Sequence, residues 1–294
     1  MSDTKFTGTG VAIITPFKSD FSVDYQALER VTEHCIRGKV NYIVVLGTTG
    51  ESVTLSKNEK LDVINTVIKT TSKRVPVVVG VGGNNTLDVV EGIRSLNLNN
   101  VDGILSVVPY YNKPNQKGLY EHYKAISKAS PLPVILYNVP GRTGINMTAE
   151  TTIQLAHDFK NLVAVKEASG NMQQIMEILR DKPEGFSVIS GDDALTFPMI
   201  ALGAVGVISV IANALPLDFS TMVEEALGGN YQLARKIHLS LLELIGALFT
   251  EGSPAGVKAI MHQANLIENI VRLPLTSVSD KHYQKLQEIV GRLK

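Results

Sequence analysis

Eight short apolar runs recur through the first 210 residues of this 294-residue chain, each followed by a polar or glycine-rich corner and an amphipathic stretch. They occupy residues 11–14, 42–46, 75–79, 103–108, 134–137, 162–165, 186–189 and 205–210. Runs that are β-branched and apolar at consecutive positions have no polar face to turn to water, so they suit parallel strands covered on both sides. Between them, residues 25–36 repeat apolar side chains at helical spacing, Ser56 and Glu59 form a capping-box pattern, and Thr148 and Asn171 open further helices. Strand–helix alternation builds either a closed α/β barrel or an open doubly wound sheet. Eight units in about this length favour the closed (β/α)8 TIM barrel. No Gly-x-Gly-x-x-Gly follows the first run, which weakens a dinucleotide-binding open sheet.

After Pro216 the pattern changes. Residues 231–249, 254–265 and 279–293 read as consecutive helices with no strand run among them. The expected division is a barrel catalytic domain over 1–229 and a small C-terminal helical domain over 230–294, the latter suited to contacts more than to chemistry. Hydrophobic residues make up 44% of the chain and charged ones 19%, enough apolar surface for a sizeable core. The 28 basic and 28 acidic residues balance and are scattered, so there is no electrostatic footprint for nucleic acid or an anionic membrane. Cys35 is the single cysteine and lies in a helical pattern as a packing residue, so no intrachain disulfide is expected. The start, Met1 to Lys5, lacks an apolar stretch behind a basic segment, and no run reaches the ~18 apolar residues of a membrane span. The chain reads as cytoplasmic.

Barrels of this kind place their chemistry at the C-terminal ends of the strands. Those ends carry Thr15, Gly47-Thr48-Thr49-Gly50-Glu51, Gly80, Pro109-Tyr110-Tyr111, Tyr137, Lys166, Gly191-Asp192-Asp193 and Ser209. A lysine ending a buried run is held against a low-dielectric interior, and desolvation of an amine favours its neutral, nucleophilic form. Two readings of Lys166 stand side by side. It is a reactive amine, or a strand-end cation that snorkels to solvent or pairs with Glu167. Tyr137 is an inward hydroxyl or an aromatic core residue, and Gly47-Thr48-Thr49-Gly50 is a carboxylate cradle or a plain βα turn. Arg142 offers a carboxylate fork or a solvated loop cation. Two adjacent tyrosines on a loop, Tyr110 and Tyr111, suit an interface. Asp192-Asp193 has the look of a metal pair, but Asp193 before Ala-Leu-Thr-Phe reads better as a helix N-cap. The six histidines show no ligand spacing, so zinc is not expected.

Taken together, six segments resemble the dihydrodipicolinate synthase family, within the N-acetylneuraminate lyase superfamily. They are Gly47-Thr48-Thr49-Gly50-Glu51-Ser52, Pro109-Tyr110-Tyr111-Asn112-Lys113-Pro114, the stretch 136–144 around Tyr137 and Arg142, Val165-Lys166-Glu167-Ala168-Ser169, Ser190-Gly191-Asp192-Asp193, and the stretch 206–210 around Ile208. They run in family order, and the resemblance covers essentially the whole chain. It implies a lyase of the class I aldolase type that condenses pyruvate with L-aspartate 4-semialdehyde in diaminopimelate and lysine biosynthesis. Lys166 would form the imine with pyruvate, and Tyr137 would relay protons through Thr48 to Tyr111, the last supplied by a neighbouring subunit. Thr48 and Thr49 would hold the pyruvate carboxylate and Arg142 that of the semialdehyde. Gly191 and Ile208 would line the pocket through their backbones. The resemblance implies no metal and no organic cofactor. It also implies a homo-oligomer, a homotetramer built from tight dimers. Sugar-acid aldolases of the same superfamily would share Lys166, Tyr137 and the Gly-Thr-Thr corner, and Arg142 is the residue that argues against them. A non-catalytic ligand-binding barrel would form no covalent adduct at all.

Two departures from the family pattern stand out. The family often carries Asn-Pro-Ile-Pro before a helical Val-Lys, where this chain has Gly252-Ser253-Pro254-Ala255-Gly256. The family's lysine-effector cleft maps to Ser52, Val53, Lys57, Lys60, Asn84, Asp88 and Tyr110, and lysine-sensitive members have histidines where Lys57 and Lys60 stand. Two permanent cations repel a cationic effector. Lysine inhibition is therefore expected to be weak or absent. Activity measured at saturating lysine should stay unchanged, and strong cooperative inhibition would contradict the expectation.

Overall fold

A computed structural model of the chain describes residues 5–293. The leader reading rests on Met1 to Thr4, which lie outside the described residues, and on Lys5. Eight strands form one closed barrel in sequence order: β1 (Gly8–Ala12), β2 (Tyr42–Val45), β3 (Val77–Gly80), β4 (Gly103–Val107), β5 (Val134–Asn138), β6 (Leu162–Glu167), β7 (Ser187–Ser190) and β8 (Gly206–Ser209). All neighbours are parallel, and β1 closes on β8 with Gly10 beside Ile208 and Val11 beside Ser209. Each apolar run of the sequence overlaps one strand, most bounds shifting by one or two residues. Two shifts have a physical cause that bears on the barrel. β1 starts at Gly8, ahead of its apolar run, because Gly8, Thr9 and Gly10 carry no hydrophobic signal. β6 continues through Lys166 and Glu167, so the lysine lies within the strand instead of after it.

Strand side chains alternate between the two faces. The inward set includes Ala12, Val44, Val78, Leu105, Ile135, Ala164, Ile189 and Ile208, packed as one apolar cluster. Phe6 and Tyr42 fill the end where the strands begin, with ring centroids 5.7 Å apart in an edge contact, and the Tyr42 hydroxyl donates to the Val207 carbonyl at 3.2 Å. That end is stopped with aromatic rings. Towards the other end, Tyr137 and Lys166 follow Ile135 and Ala164 on the same faces of their strands, which brings a hydroxyl and an amine into the interior.

The helix openings read from the sequence are present. Ser56 Oγ accepts from the Glu59 amide at 3.2 Å while Glu59 accepts from the Ser56 amide at 2.8 Å, and Thr148 and Asn171 cap their helices through Thr151 and Gln174. Helices Tyr231–Ala247, Ala255–Gln263 and Asp280–Leu293 make up the C-terminal region. They share the barrel's outer core: one buried cluster runs from Val11, Ile43 and Val207 through Cys35 to Leu241, Leu244, Ile260 and Leu286. Gly256 explains part of the sequence departure noted above. A Cβ there would lie 2.3 Å from the Leu248 carbonyl oxygen, so glycine lets one helix begin hard against the end of another. Among the described residues no helix is long and apolar enough to cross a membrane.

Buried Asn213 ties the seam between first and last strands. Its Oδ1 accepts from the Ile14 amide at 3.0 Å, and its Nδ2 donates to the Ala12 carbonyl at 2.9 Å and the Val210 carbonyl at 3.0 Å. Asn213→Ala removes the side-chain partners of the Ile14 amide and the Ala12 carbonyl in a dry environment, where each unsatisfied group costs about 1–3 kcal/mol, while the Val210 carbonyl keeps the residue 213 amide at 3.1 Å. Urea unfolding should show a loss of about 2–4 kcal/mol. A change below about 0.5 kcal/mol, the size of a neutral surface substitution, would contradict this role.

Candidate active site

The parallel register sets Tyr137 of β5 directly beside Lys166 of β6. Both side chains point into the barrel, and the lysine Nζ stands 4.3 Å from the centroid of the tyrosine ring. Lys166 is only 5% exposed, so it does not snorkel to solvent. Nor does it pair with Glu167. Alternation sends that carboxylate out between barrel and helices, where it accepts from the Ser169 amide at 2.8 Å, Asn138 Nδ2 at 3.1 Å and Gln174 Nε2 at 3.2 Å. Burial lifts the Glu167 carboxyl above its usual range against the pull of those hydrogen bonds. Both bland readings of Lys166 therefore fail on geometry.

Gly191, just past β7, backs the lysine stem. A Cβ there would lie 2.7 Å from the Ala168 Cβ and 3.1 Å from both Cγ and Cε of Lys166. Ile208 of β8 is buried on the inward face. Thr48 and Thr49 open a single turn of 3-10 helix, Thr48–Gly50, directly after β2; Thr48 is exposed at the mouth and Thr49 is buried. Arg142 sits exposed in the four-residue helix Pro140–Thr143 that follows β5. Tyr111, after β4, has φ 73° and is 87% exposed. Among the described residues no hydrogen bond links the hydroxyls of Tyr137, Thr48 and Tyr111.

The effector-cleft positions come from three successive βα connections. Ser52 and Val53 lie in the 3-10 turn Ser52–Thr54, Lys57 and Lys60 open helix Lys57–Thr71, and Asp88 lies in the first turn of helix Thr86–Ser95. The Asn84 carbonyl accepts from Asn112 Nδ2 at 2.9 Å, which ties that connection to the one carrying Tyr110 and Tyr111.

The aspartate pair corrects the sequence reading. Asp192, not Asp193, is the cap: its carboxylate accepts from the Ala194 amide at 2.9 Å. Asp193 is already the first residue of the turn Asp193–Leu195, and its side chain reaches the segment that follows β8. There it accepts from the amides of Val210 at 3.0 Å and Ile211 at 2.8 Å. Burial lifts its carboxyl to about 6 against the pull of those amides. Among the described residues no group of three or more His, Cys, Asp or Glu side chains is placed to hold a metal ion.

Sequence reasoning missed a second buried group. Glu51, next to the threonine turn, accepts from Lys258 Nζ at 2.5 Å and from the Arg272 amide at 2.9 Å. Lys258 also donates to the Ile270 carbonyl at 2.9 Å, and its Nζ and the Arg272 guanidinium stand 4.2 and 4.4 Å from the Phe17 ring centroid. Burial pushes the Lys258 ammonium down to about 8 against the opposing pull of Glu51. The Arg272 guanidinium also grips Glu59 and holds that carboxyl down at about 2.

Comparison with known proteins matches residues 5–293 to the Dihydrodipicolinate synthetase family. A 4-hydroxy-tetrahydrodipicolinate synthase of Parabacteroides distasonis is 53% identical over 293 residues, 100% of this chain and 99% of the relative. One from Phocaeicola vulgatus is 51% identical over 294 residues, again covering 100% of this chain and 99% of the relative. The crystal structure of dihydrodipicolinate synthase from Aquifex aeolicus superposes with a TM-score of 0.94 at 43% identity, over 98% of each chain. The chain belongs to this family.

The packing around Gly191 makes a test of the lysine's placement. Gly191→Ala should displace the Lys166 stem and slow modification of that lysine by pyruvate and borohydride about 10–100-fold. A modification rate equal to that of the parent would show that Gly191 does not set the lysine's position.

Proposed function

We propose that this member of the dihydrodipicolinate synthetase family acts as a 4-hydroxy-tetrahydrodipicolinate synthase, condensing pyruvate with L-aspartate 4-semialdehyde in the cytoplasm, on the way to diaminopimelate and lysine. The observation that carries the chemistry is Lys166 Nζ inside the barrel, 4.3 Å from the ring centroid of Tyr137 and backed by Gly191. In the proposed sequence, Nζ attacks the keto carbon of pyruvate, a proton joins the departing oxygen, and water leaves to give a protonated imine. A C=N bearing positive charge accepts electrons better than the ketone, so the pyruvyl methyl loses a proton and becomes the nucleophilic carbon of an enamine. That carbon attacks the aldehyde, and the amine of the semialdehyde then displaces Lys166, which closes a ring and returns the enzyme amine. No metal or organic cofactor enters this scheme, because the imine itself is the electron sink.

Tyr137 handles the protons at the departing keto oxygen and the pyruvyl methyl, and Thr48 carries them on towards Tyr111. The hydroxyls and backbone of Thr48 and Thr49 hold the pyruvate carboxylate. Arg142 at the mouth takes the carboxylate of the second substrate, where a bidentate fork suits a short acid. Gly191 and Ile208 line the pocket around the lysine. The proton path needs a second subunit. In support, Tyr111 is 87% exposed, and Val53 at 81% and Leu87 at 76% present apolar side chains from the two preceding βα connections. A tight dimer over this face would cover all three, and two such dimers would form the tetramer.

Borohydride reduction in the presence of pyruvate should add a reduced pyruvyl group to the peptide containing Lys166, read by mass. An unmodified peptide would sink the mechanism. Lys166→Ala should lower kcat by about 10³-fold or more, and Tyr137→Phe by about 10²–10⁴-fold. Beside the condensation assay, a pyruvate-release assay with sialic acid should give no product; release would favour the sugar-acid reading.

A further inference from the structure

Residues 47–51 adopt a backbone conformation that must be held from outside. After β2 the chain makes one turn of 3-10 helix, closed by the Gly50 amide on the Gly47 carbonyl at 3.1 Å and the Glu51 amide on the Thr48 carbonyl at 3.1 Å. It leaves that turn at Glu51 with φ 51° and ψ 36°. A non-glycine residue stays in this left-handed region only when its surroundings fix it. On one side Thr15 donates its hydroxyl to the Gly50 carbonyl at 2.7 Å. On the other, both oxygens of the Glu51 carboxylate are taken by groups of the C-terminal region: the Lys258 ammonium and the Arg272 amide.

Lys258 is itself clamped. It is 0% exposed, it lies in helix Ala255–Gln263, and it is braced by the Ile270 carbonyl and the Phe17 ring. The Arg272 side chain also donates to the Thr54 carbonyl at 2.9 Å, at the last residue of the following turn. The C-terminal helices therefore grip the βα connection immediately behind Thr48 and Thr49.

We propose that Glu51 and Lys258 are positioning residues for pyruvate: the buried ion pair holds the turn so that Thr48 and Thr49 meet the pyruvate carboxylate, and the C-terminal helical region is part of the active site through it. This rests on the reading that Thr48 and Thr49 bind that carboxylate. The pair touches no substrate. Its loss should weaken capture of pyruvate and leave the Arg142 side alone.

The test is a borohydride-trapping titration, in which modified Lys166 is followed against pyruvate concentration for the parent protein and for three variants. Glu51→Gln removes the charge and leaves one acceptor for two donors, so its NH2 faces either the Lys258 ammonium or the Arg272 amide. Glu51→Asp keeps the charge and the pairing but shortens the arm, which keeps a folded protein to measure. Glu51→Gln with Lys258→Met removes both charges. All three should raise half-saturating pyruvate by about 10-fold or more, while KM for the semialdehyde stays within about twofold. Variants whose trapping curves coincide with the parent's, or which raise both substrates' constants together, overturn the positioning role. A parent protein that traps no pyruvate overturns the functional reading, and this proposal with it.

Discussion

The reactive face depends on one constraint of a parallel sheet: side chains at paired positions of neighbouring strands share a face. Tyr137 and Lys166 are such a pair, and the barrel's closure makes that face an interior. A shift of one residue in the register of β6 would send Glu167 inward and Lys166 out among the helices. Everything proposed for the lysine follows from which side of the strand it occupies. The sequence neighbour that looks like its natural counter-ion is on the wrong side to serve.

Around this interior the molecule uses buried carboxylates to fix backbone. Glu51 holds the turn after β2, Glu167 the connection after β6, and Asp193 the segment after β8. Each accepts backbone N–H groups at the C-terminal end of the barrel, where loops would otherwise carry unpaired donors. The arrangement is demanding. Removing one partner of a buried ion pair such as Glu51–Lys258 strands the other charge and typically costs about 3–5 kcal/mol. Such pairs are seldom the most stable way to fill a core, and here the structure that results is a fixed set of loop ends around the lysine.

The fold was almost fully legible because hydrophobic patterning reports it directly: each of the eight apolar runs overlaps one of the eight strands, and the capping signatures at Ser56, Thr148 and Asn171 mark helix starts. Lys166 and Tyr137 were legible for the same reason, since each ends or follows an apolar run. What escaped was long-range pairing. Glu51 stands inside a motif quoted for its threonines, but its partners lie 207 and 221 residues away, in a region set down as mere contacts. No local pattern distinguishes a lysine that will be wholly buried from one on a helix surface. The aspartate pair failed on a smaller scale. Capping chemistry predicts that an aspartate precedes the turn, and either residue satisfies that rule until backbone geometry selects Asp192.

The Phe6–Tyr42 contact at the far end of the barrel has a consequence for traffic. Together with the apolar cluster stacked above it, it makes the barrel a cup, and whatever reaches the floor of a cup must enter before anything that rests above it. On the proposed chemistry, pyruvate joined to Lys166 occupies the depth, and the second reactant arrives over it through the same mouth. The carbon skeleton assembled there has one way out, back past Arg142. Substrate order is then a property of the vessel as much as of the chemistry, fixed by a packed apolar floor that takes no part in the reaction.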